Sequence, residues 1–177
     1  MPLSENLINT LGTFSKWGDG GDITATVNGI TTTSSNSYAK SSATMTSSNT
    51  YQRISFSVYW DGRGYIGVGL SWGDWNIMQR VQINTDGNIG ISGTLGNTSF
   101  TASGLSAGTY DFDFEYNNGT IKFYIDGVEK KSMSGNLSSY TTFKPMFWIH
   151  DNYNFIRSYE EILPTTGIAA SKRIINC

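Results

Sequence analysis

Three carboxylates stand two residues apart on one predicted strand: Asp111, Asp113 and Glu115. Side chains at such spacing share one face of a strand, so neighbouring acids lie about 6.5–7 Å apart. Retaining glycosidases use two carboxyl groups about 5–5.5 Å apart, one as the acid and one as the nucleophile, a separation that side-chain reach would allow. The spacing therefore raises glycoside hydrolysis as a hypothesis, and its alternative is a solvated outer face of a strand.

Other catalytic arrangements lack their parts. The chain has one histidine, His150, and one cysteine, Cys177. A Ser–His–Asp triad would have to use His150, and its neighbour Asp151 faces the opposite side of a strand. No serine has the strand–turn–helix setting of an activated nucleophile, and no Cys/His pattern indicates a metal centre. We therefore predict no catalytic residue.

A second set of residues suits sugar binding. Aromatic rings can stack on the apolar face of a pyranose, while Asn, Gln and Arg can bond its hydroxyl groups. Trp148 and His150 are expected to be the exposed centre of such a site, whereas Trp60 and Trp72 are expected in the core. The candidate ligand-binding residues are Tyr59, Tyr65, Asn76, Arg80, Gln82, Trp148, His150, Asn152 and Tyr153.

Two features near these residues leave alternatives open. Gly67 and Gly69 would give a sugar ring a shallow floor, or they mark tight curvature of the sheet. Asp151, Asn152 and Asn154 carry oxygen atoms that could hold Ca²⁺, although a short Asx-rich loop is more often only a turn. We expect no cofactor, with calcium at this loop as the alternative.

The elements that must position these side chains are strands. Apolar and polar residues alternate through Tyr110–Tyr116 and again through Ile121–Ile125, and Asn118-Gly119 between them favours a tight hairpin turn. No helical period persists for three turns. We predict a polar loop over Thr31–Ser37 and, after a loop over Asp151–Arg157, a helical turn at Ser158–Ile162. Further alternating runs, within roughly eleven to thirteen strands in all, are Tyr51–Trp60, Tyr65–Trp72, Trp75–Asn84 and Thr142–His150.

Length and charge narrow the classes of function. With 177 residues, one domain over residues 1–177 is expected. The net charge is −2 and no basic cluster occurs, which argues against nucleic-acid binding. Apolar runs are far shorter than the roughly 20 residues of a membrane span, so no membrane insertion is expected. The N-terminal segment lacks the basic region and apolar core of a signal peptide.

The hairpin also carries a resemblance to a known family. Gly108–Gly127 resembles the "Y-x-hydrophobic-x-W/Y … I-x-hydrophobic-Y-hydrophobic-D-G" hairpin of concanavalin A-like lectin/glucanase domains, and Thr50–Trp60 is similar to their "sFsvyW" strand. The resemblance implies an all-β antiparallel sandwich, a concanavalin A-like (laminin-G-like) jelly roll of two curved sheets. It also implies glycan binding on the concave sheet or along one rim. The fold hosts lectins, enzymes and structural modules, so it implies no single function.

The resemblance argues against the acid pair. Laminarinase-type glycosidases carry an E-x-D-x-x-E strand before the strand that enters this hairpin, whereas Asp111–Glu115 belongs to the hairpin itself. The strands where the pair should lie, Tyr65–Trp72 and Trp75–Asn84, contain no carboxylate. We therefore predict that the three acids face solvent, with weak cross-strand pairing to Lys122, and that the protein is not an enzyme.

The function predicted is a non-catalytic, lectin-like carbohydrate-binding or adhesion module on a cell or particle surface. Its expected partner is a glycan or polysaccharide, and its expected location is extracellular or on a particle surface. Two alternatives remain: a structural, self-assembling surface, fibre or virion protein with the same fold, and a glycoside hydrolase of the laminarinase type. Homo-oligomers or larger assemblies belong to the structural alternative.

Overall fold

A computed structural model describes residues 14–17, 22–26, 29–33, 37–42, 45–46, 51–72, 76–94, 98–100, 104–134, 140, 142–162 and 172–176. Within these ranges the chain forms sixteen strands and no helix. In chain order the strands are β1 (Phe14–Trp17), β2 (Ile23–Thr26), β3 (Gly29–Thr32), β4 (Ser37–Ser41), β5 (Met45–Thr46), β6 (Tyr51–Trp60), β7 (Ile66–Trp72), β8 (Asn76–Ile83), β9 (Ile89–Gly93), β10 (Thr98–Phe100), β11 (Gly108–Asn117), β12 (Thr120–Ile125), β13 (Val128–Ser134), β14 (Thr142–Ile149), β15 (Phe155–Ile162) and β16 (Lys172–Asn176).

The strands form two antiparallel sheets of eight strands each. Sheet 1 has the order β1-β4-β14-β7-β8-β9-β10, with β5 beside β14. Sheet 2 has the order β13-β12-β11-β6-β15-β3-β2, with β16 beside β15. Central pairings join segments far apart in the chain, such as β14 with β7 and β15 with β6. The predicted all-β sandwich is confirmed, and several short strands raise the count above the predicted one.

Alternation along the strands builds the core between the sheets. In β6 every second residue is buried, from Gln52 to Trp60, and the intervening residues are half-buried. Phe56 of β6, Phe14 of β1 and Tyr159 of β15 meet there, with ring centroids 4.9–6.1 Å apart. Complete burial of one such side chain stabilises the fold by roughly 1.5–3 kcal/mol. The expected burial of Trp60 is confirmed at 2% exposure.

The predicted hairpin forms as expected. Asn117 and Thr120 pair across the turn, and Asn118 and Gly119 adopt φ values of 46° and 84°. Both values are positive, as a two-residue turn needs if its twist is to match that of the strands. The hairpin pairs its first strand, β11, with β6 over ten residue positions, from Gly108 opposite Trp60 to Asn117 opposite Tyr51.

Three local predictions were wrong. Ser158–Ile162 is not a helical turn, because the whole of Phe155–Ile162 is a strand between β6 and β16. The predicted loop over Asp151–Arg157 for the same reason extends too far, since the strand begins at Phe155. The predicted loop at Thr31–Ser37 begins too early, since Thr31 and Thr32 are buried in β3. Their hydroxyl groups are satisfied inside the fold, Thr31 Oγ1 by the Asn154 carbonyl oxygen at 2.8 Å and Thr32 by the hydroxyl of Ser37.

Trp72 is half-buried instead of fully buried, and its ring packs edge-on against Tyr140 at 5.1 Å. The register of β7 on β8 shifts between Leu70 and Ser71, because β8 has one extra residue there, next to the end of β7 that carries Trp72. Trp75, predicted as the start of β8, lies outside the described residues. Over the ranges given above, no helix is long and apolar enough to cross a membrane.

Candidate functional site

Five predicted ligand-binding residues meet on the outer face of sheet 1. Strand pairing sets Trp148 of β14 opposite Gly67 of β7, and Gly67 opposite Gln82 of β8. One row along, Arg80 of β8 lies opposite Gly69. Tyr65 and His150 continue the face at the ends of their strands, where His150 N donates to the Tyr65 carbonyl oxygen at 2.9 Å. The five are Tyr65, Arg80, Gln82, Trp148 and His150.

Three aromatic rings form a stack on this face, here called the aromatic row: Tyr38, Trp148 and Tyr65. The Tyr38 and Trp148 rings lie 5.6 Å apart at an angle of 4°, and the Tyr65 and Trp148 rings lie 5.3 Å apart at 15°. Such offset stacking is a favoured arrangement of aromatic rings. Tyr38 of β4 was missed from the sequence, and only its pairing opposite Trp148 reveals it.

Arg80 covers the middle of the aromatic row. Its guanidinium carbon lies 4.7 Å from the centroid of the Trp148 ring, and its Nε donates to Ser92 Oγ at 2.9 Å. The expectation of an exposed Trp148 was therefore wrong, since only 8% of this residue is accessible. Tyr38, Tyr65 and Arg80 are half-buried and present the accessible surface, while Trp148 supports them from within.

Unpartnered polar atoms lie beside the aromatic row. Trp148 Nε1, His150 Nδ1 and Gln82 Oε1 are buried without a hydrogen-bond partner. Gln82 uses its amide nitrogen to donate to Asn84 Oδ1 at 2.6 Å, which leaves its oxygen unused. Arg53 Nε on sheet 2 is in the same state, and His150 Nδ1 lies 3.8 Å from Asp151 Oδ2, so these atoms supply hydrogen-bonding capacity beside the aromatic row without marking a ligand site by themselves.

Gly67 and Gly69, which lie under this face, allow β7 and β8 to approach each other closely. A Cβ atom on Gly69 would lie 2.3 Å from the Gln79 carbonyl oxygen and 2.7 Å from Arg80 Cα. A Cβ on Gly67 would lie 3.0 Å from Cβ of Gln82. The backbone of β8 thus fills the space that a side chain of β7 would need, which favours the structural reading of these glycines over an open floor.

The loop after β14 is held by its own hydrogen bonds. Asn154 is fully buried; its Oδ1 accepts from Asp61 N at 3.0 Å, and its Nδ2 donates to the Arg63 carbonyl oxygen at 3.0 Å. Asp151 Oδ1 accepts from Tyr153 N and from Asn154 Nδ2. Of the proposed calcium ligands, Asp151 Oδ1 is therefore engaged in an Asx turn and Asn154 Oδ1 is engaged by the backbone of Asp61. No group of three or more His, Cys, Asp or Glu suited to a metal ion occurs in the portion of the chain that is described.

The other predicted site residues lie apart from the aromatic row. Tyr59 lies in β6 of sheet 2, where its ring packs near Phe155 at 6.2 Å. Asn152 and Tyr153 are exposed on the loop after β14, and Arg63 sits 3.9 Å above the Tyr153 ring. Asn76 belongs to β8 of sheet 1, but its side chain lies outside the described part of the structure.

The acidic strand β11 is not uniformly solvated as predicted. Asp111 is exposed and Glu115 half-buried, but Asp113 is 5% exposed. Arg53 donates to Asp113 Oδ2 at 2.7 Å, and the Ser55 hydroxyl donates to Oδ1. The prediction was wrong for Asp113 because β6 places an arginine and a small hydroxyl residue beside it. The hydrogen bond to Asp113 raises the pKa of Arg53.

The neighbours of Asp113 are also paired. Tyr51 OH donates to Glu115 Oε2 at 3.3 Å; burial, followed by the negative charge of Glu115, raises the pKa of this tyrosine. Lys122 does lie opposite Glu115 in register, yet its Nζ donates to Glu129 Oε2 at 3.1 Å, which raises the pKa of Lys122. Asp111 and Asp113 line a cavity of 270 Å³ on sheet 2, on the face opposite to the aromatic row.

We expect Arg53→Ala to lower the free energy of unfolding by about 1–2 kcal/mol. A hydrogen bond to a charged group contributes about 1.5–3 kcal/mol, and the 37% exposure of the Arg53 side chain reduces this through solvent screening. Urea unfolding measures the change, with Arg157→Ala, an exposed arginine on β15, as the control. Equal stability of the two variants would show that the buried pair contributes nothing.

Comparison with known proteins identifies the architecture. No family model and no curated protein sequence matches the chain. Among solved structures, carbohydrate-binding module CBM66 from Bacillus subtilis is similar with a TM-score of 0.58 and 12% identity over 78% of this chain and 88% of its own. The exoplasmic/lumenal domain of VIP36, in a Ca²⁺/Man-bound form, has a TM-score of 0.59 and 9% identity over 92% and 89%.

An enzyme is also among the similar structures. An alginate lyase from Corynebacterium sp. matches with a TM-score of 0.55 and 11% identity over 77% of this chain and 73% of its own. At such identities the likeness concerns the fold alone. The two antiparallel sheets and these neighbours agree that the chain has the jelly-roll β-sandwich fold, as the resemblance of its hairpin implied.

Proposed function

We propose that the protein is a carbohydrate-binding module whose glycan or polysaccharide ligand lies on the outer face of sheet 1. The observation that carries the proposal is the aromatic row of Tyr38, Trp148 and Tyr65, covered by Arg80 and bordered by buried, unpartnered polar atoms. Stacked rings and nearby hydrogen-bonding groups are the two components that recognise a sugar ring.

The contacts available to a sugar follow from the exposure of each residue. Tyr38 and Tyr65 flank the buried Trp148, so a pyranose would pack against the two tyrosines while Trp148 fixes their positions. Arg80 would donate to hydroxyl oxygens from its terminal nitrogens, because its described hydrogen bond uses only Nε. The carbohydrate-binding module and the Man-bound VIP36 domain support this assignment through their shared fold.

The proposal is one of binding and not of catalysis. The strands of sheet 1, as described, contain neither Asp nor Glu, so this face lacks the carboxyl pair that hydrolysis of a glycoside requires. The acids of β11 lie on sheet 2, and both carboxyl oxygens of Asp113 already accept hydrogen bonds from Arg53 and Ser55. A location outside the cell or on a particle surface, where polysaccharides are met, belongs to the same proposal.

We expect Tyr65→Ala to weaken glycan binding about three- to tenfold, because one aromatic contact contributes about 0.5–1.5 kcal/mol. A glycan and polysaccharide array identifies the ligand, and titration calorimetry then measures the affinity of the wild type and the variants. Tyr124→Ala is the matched control, since Tyr124 is a half-buried tyrosine on β12 of sheet 2.

The array also decides the proposal. Binding that is lost in Tyr65→Ala and kept in Tyr124→Ala supports a site at the aromatic row. Absence of binding to every glycan and polysaccharide would refute a carbohydrate-binding function. An equal loss of glycan affinity in Tyr65→Ala and Tyr124→Ala would show that the binding site is not at the aromatic row of sheet 1.

A further inference from the structure

The charges of the protein are divided unequally between its two sheets. The strands of sheet 2 carry acidic and basic residues in nearly equal number. The six acids are Asp111, Asp113, Glu115, Glu129, Glu160 and Glu161, and the seven bases are Arg53, Lys122, Lys130, Lys131, Arg157, Lys172 and Arg173. The strands of sheet 1 carry no acidic residue and four basic ones: Lys16, Lys40, Arg80 and Lys144. A protein with a net charge of −2 thus presents a basic face on sheet 1.

Three of these basic residues lie on one side of the aromatic row. Lys40 and Arg80 lie on one line across four strands, because Lys40 pairs with Met146, Met146 with Gly69, and Gly69 with Arg80. Two residues before Met146, Lys144 lies on the same face of β14, opposite Ser71. Adjacent strands are about 4.8 Å apart, so Lys40 and Arg80 are separated by roughly 14 Å, enough to span more than one sugar ring.

The two cations that this inference uses, Arg80 and Lys144, form no ion pair with the acids whose positions are described. Lys144 Nζ donates to the Ser42 carbonyl oxygen at 3.4 Å, and Arg80 Nε donates to the Ser92 hydroxyl, so both described partners are uncharged. Two acidic residues at the ends of strands, Asp22 and Asp61, form ion pairs with other basic residues. Asp22 pairs with Lys16 at 3.0 Å and Asp61 with Arg63 at 2.6 Å.

We propose that the ligand of sheet 1 is an anionic polysaccharide, one that carries carboxylate or sulfate groups along its chain. This inference rests on the carbohydrate-binding function proposed above and specifies its ligand. The aromatic row packs against the sugar rings, while Arg80 and Lys144, which lie to one side of that row, bind the acidic groups. Guanidinium and ammonium groups form charge-assisted hydrogen bonds with such anions, and the strands around Arg80 and Lys144 contain no carboxylate that would repel them.

The test compares charged and neutral polysaccharides of similar backbone length. Titration calorimetry of the full chain uses alginate and heparin as the anionic probes, and dextran and laminarin as the neutral ones. We expect the anionic probes to bind at least about tenfold more tightly, the factor contributed by roughly one charge-assisted hydrogen bond. Raising the ionic strength from about 0.01 M to about 0.15 M shortens the screening length from roughly 30 Å to 8 Å and should weaken only the binding of anionic probes.

Substitutions that each remove one positive charge show which residues contact the anionic polysaccharide. Arg80→Gln is expected to weaken alginate or heparin binding about tenfold, and Lys144→Gln about two- to fivefold because this lysine is more loosely held. Lys130→Gln, which removes a charge from β13 of sheet 2, is the matched control and should change nothing. Far-ultraviolet circular dichroism of each variant verifies that the fold is kept.

The outcomes separate this inference from the function on which it rests. Binding of dextran or laminarin that depends on Tyr65 and equals the binding of alginate would overturn the inference and leave the carbohydrate-binding function standing. An equal effect of Lys130→Gln and Lys144→Gln would also overturn it, since attraction would then be unspecific. No binding of any of the four probes or of any array glycan would overturn both.

Discussion

Replacing Phe56 by alanine should destabilise the protein by about 3–5 kcal/mol, the cost of removing a large aromatic side chain from a packed core. Phe56 is fully buried in the middle of β6, between β11 and β15. Its ring lies 4.9 Å from that of Tyr159 and 6.1 Å from that of Phe14, so the variant leaves a cavity between rings from both sheets. A loss of this size is a large fraction of the roughly 5–15 kcal/mol by which a native domain is stable.

Phe56→Leu is the control because it keeps most of the volume and should cost less than half as much. Guanidinium unfolding followed by tryptophan fluorescence measures both variants, with the slope of the transition checking that the unfolded state is unchanged. A loss below about 1 kcal/mol for Phe56→Ala would mean that the space is not tightly packed and would contradict the described core.

The central strands were predictable because their alternation is uninterrupted. Tyr51–Trp60 was predicted and found with the same bounds, since each inward residue is apolar except Gln52. In β15 the buried residues Ile156 and Tyr159 stand three apart instead of two, because the pairing with β6 shifts between Ile156 and Ser158. A spacing of three imitates a helical turn, so this strand was misread.

The site was predictable only in part, because strand pairing joins residues distant in the chain. Alternation along the predicted strands indicated that Tyr65, Arg80 and Trp148 face away from the core. The pairing of β7 with β8 and β14 brings these three residues together. Tyr38 lies more than a hundred positions before Trp148, and nothing local to it indicates the stack. The burial of Asp113 likewise follows from Arg53 and Ser55 on a different strand.

The site also depends on how closely two strands approach, which Gly69→Ala tests. The new Cβ would lie 2.3 Å from the Gln79 carbonyl oxygen and 2.7 Å from Arg80 Cα, and both are backbone atoms that no side-chain rotation can move. We expect a loss of about 2–3 kcal/mol in the free energy of unfolding, within the range for overpacking. Relief of the contact must shift β8 away from β7, which moves Arg80 relative to Trp148 and should weaken glycan binding as well.

Alanine substitutions at Gly67 and Gly90 provide comparisons in which the expected destabilisation is progressively smaller than for Gly69→Ala. A Cβ on Gly67 meets Cβ of Gln82 at 3.0 Å, so Gly67→Ala should destabilise less than Gly69→Ala. A Cβ on Gly90 would meet Asn84 Nδ2 at 3.5 Å and Gln82 Cγ at 3.6 Å, which are ordinary contacts. Gly90→Ala should therefore be neutral or slightly stabilising, because alanine restricts the unfolded chain. Urea unfolding and titration with the bound glycan should rank the variants in that order. If Gly69→Ala matched Gly90→Ala in both measurements, the close approach of β7 and β8 would not be what holds Arg80 over the aromatic row.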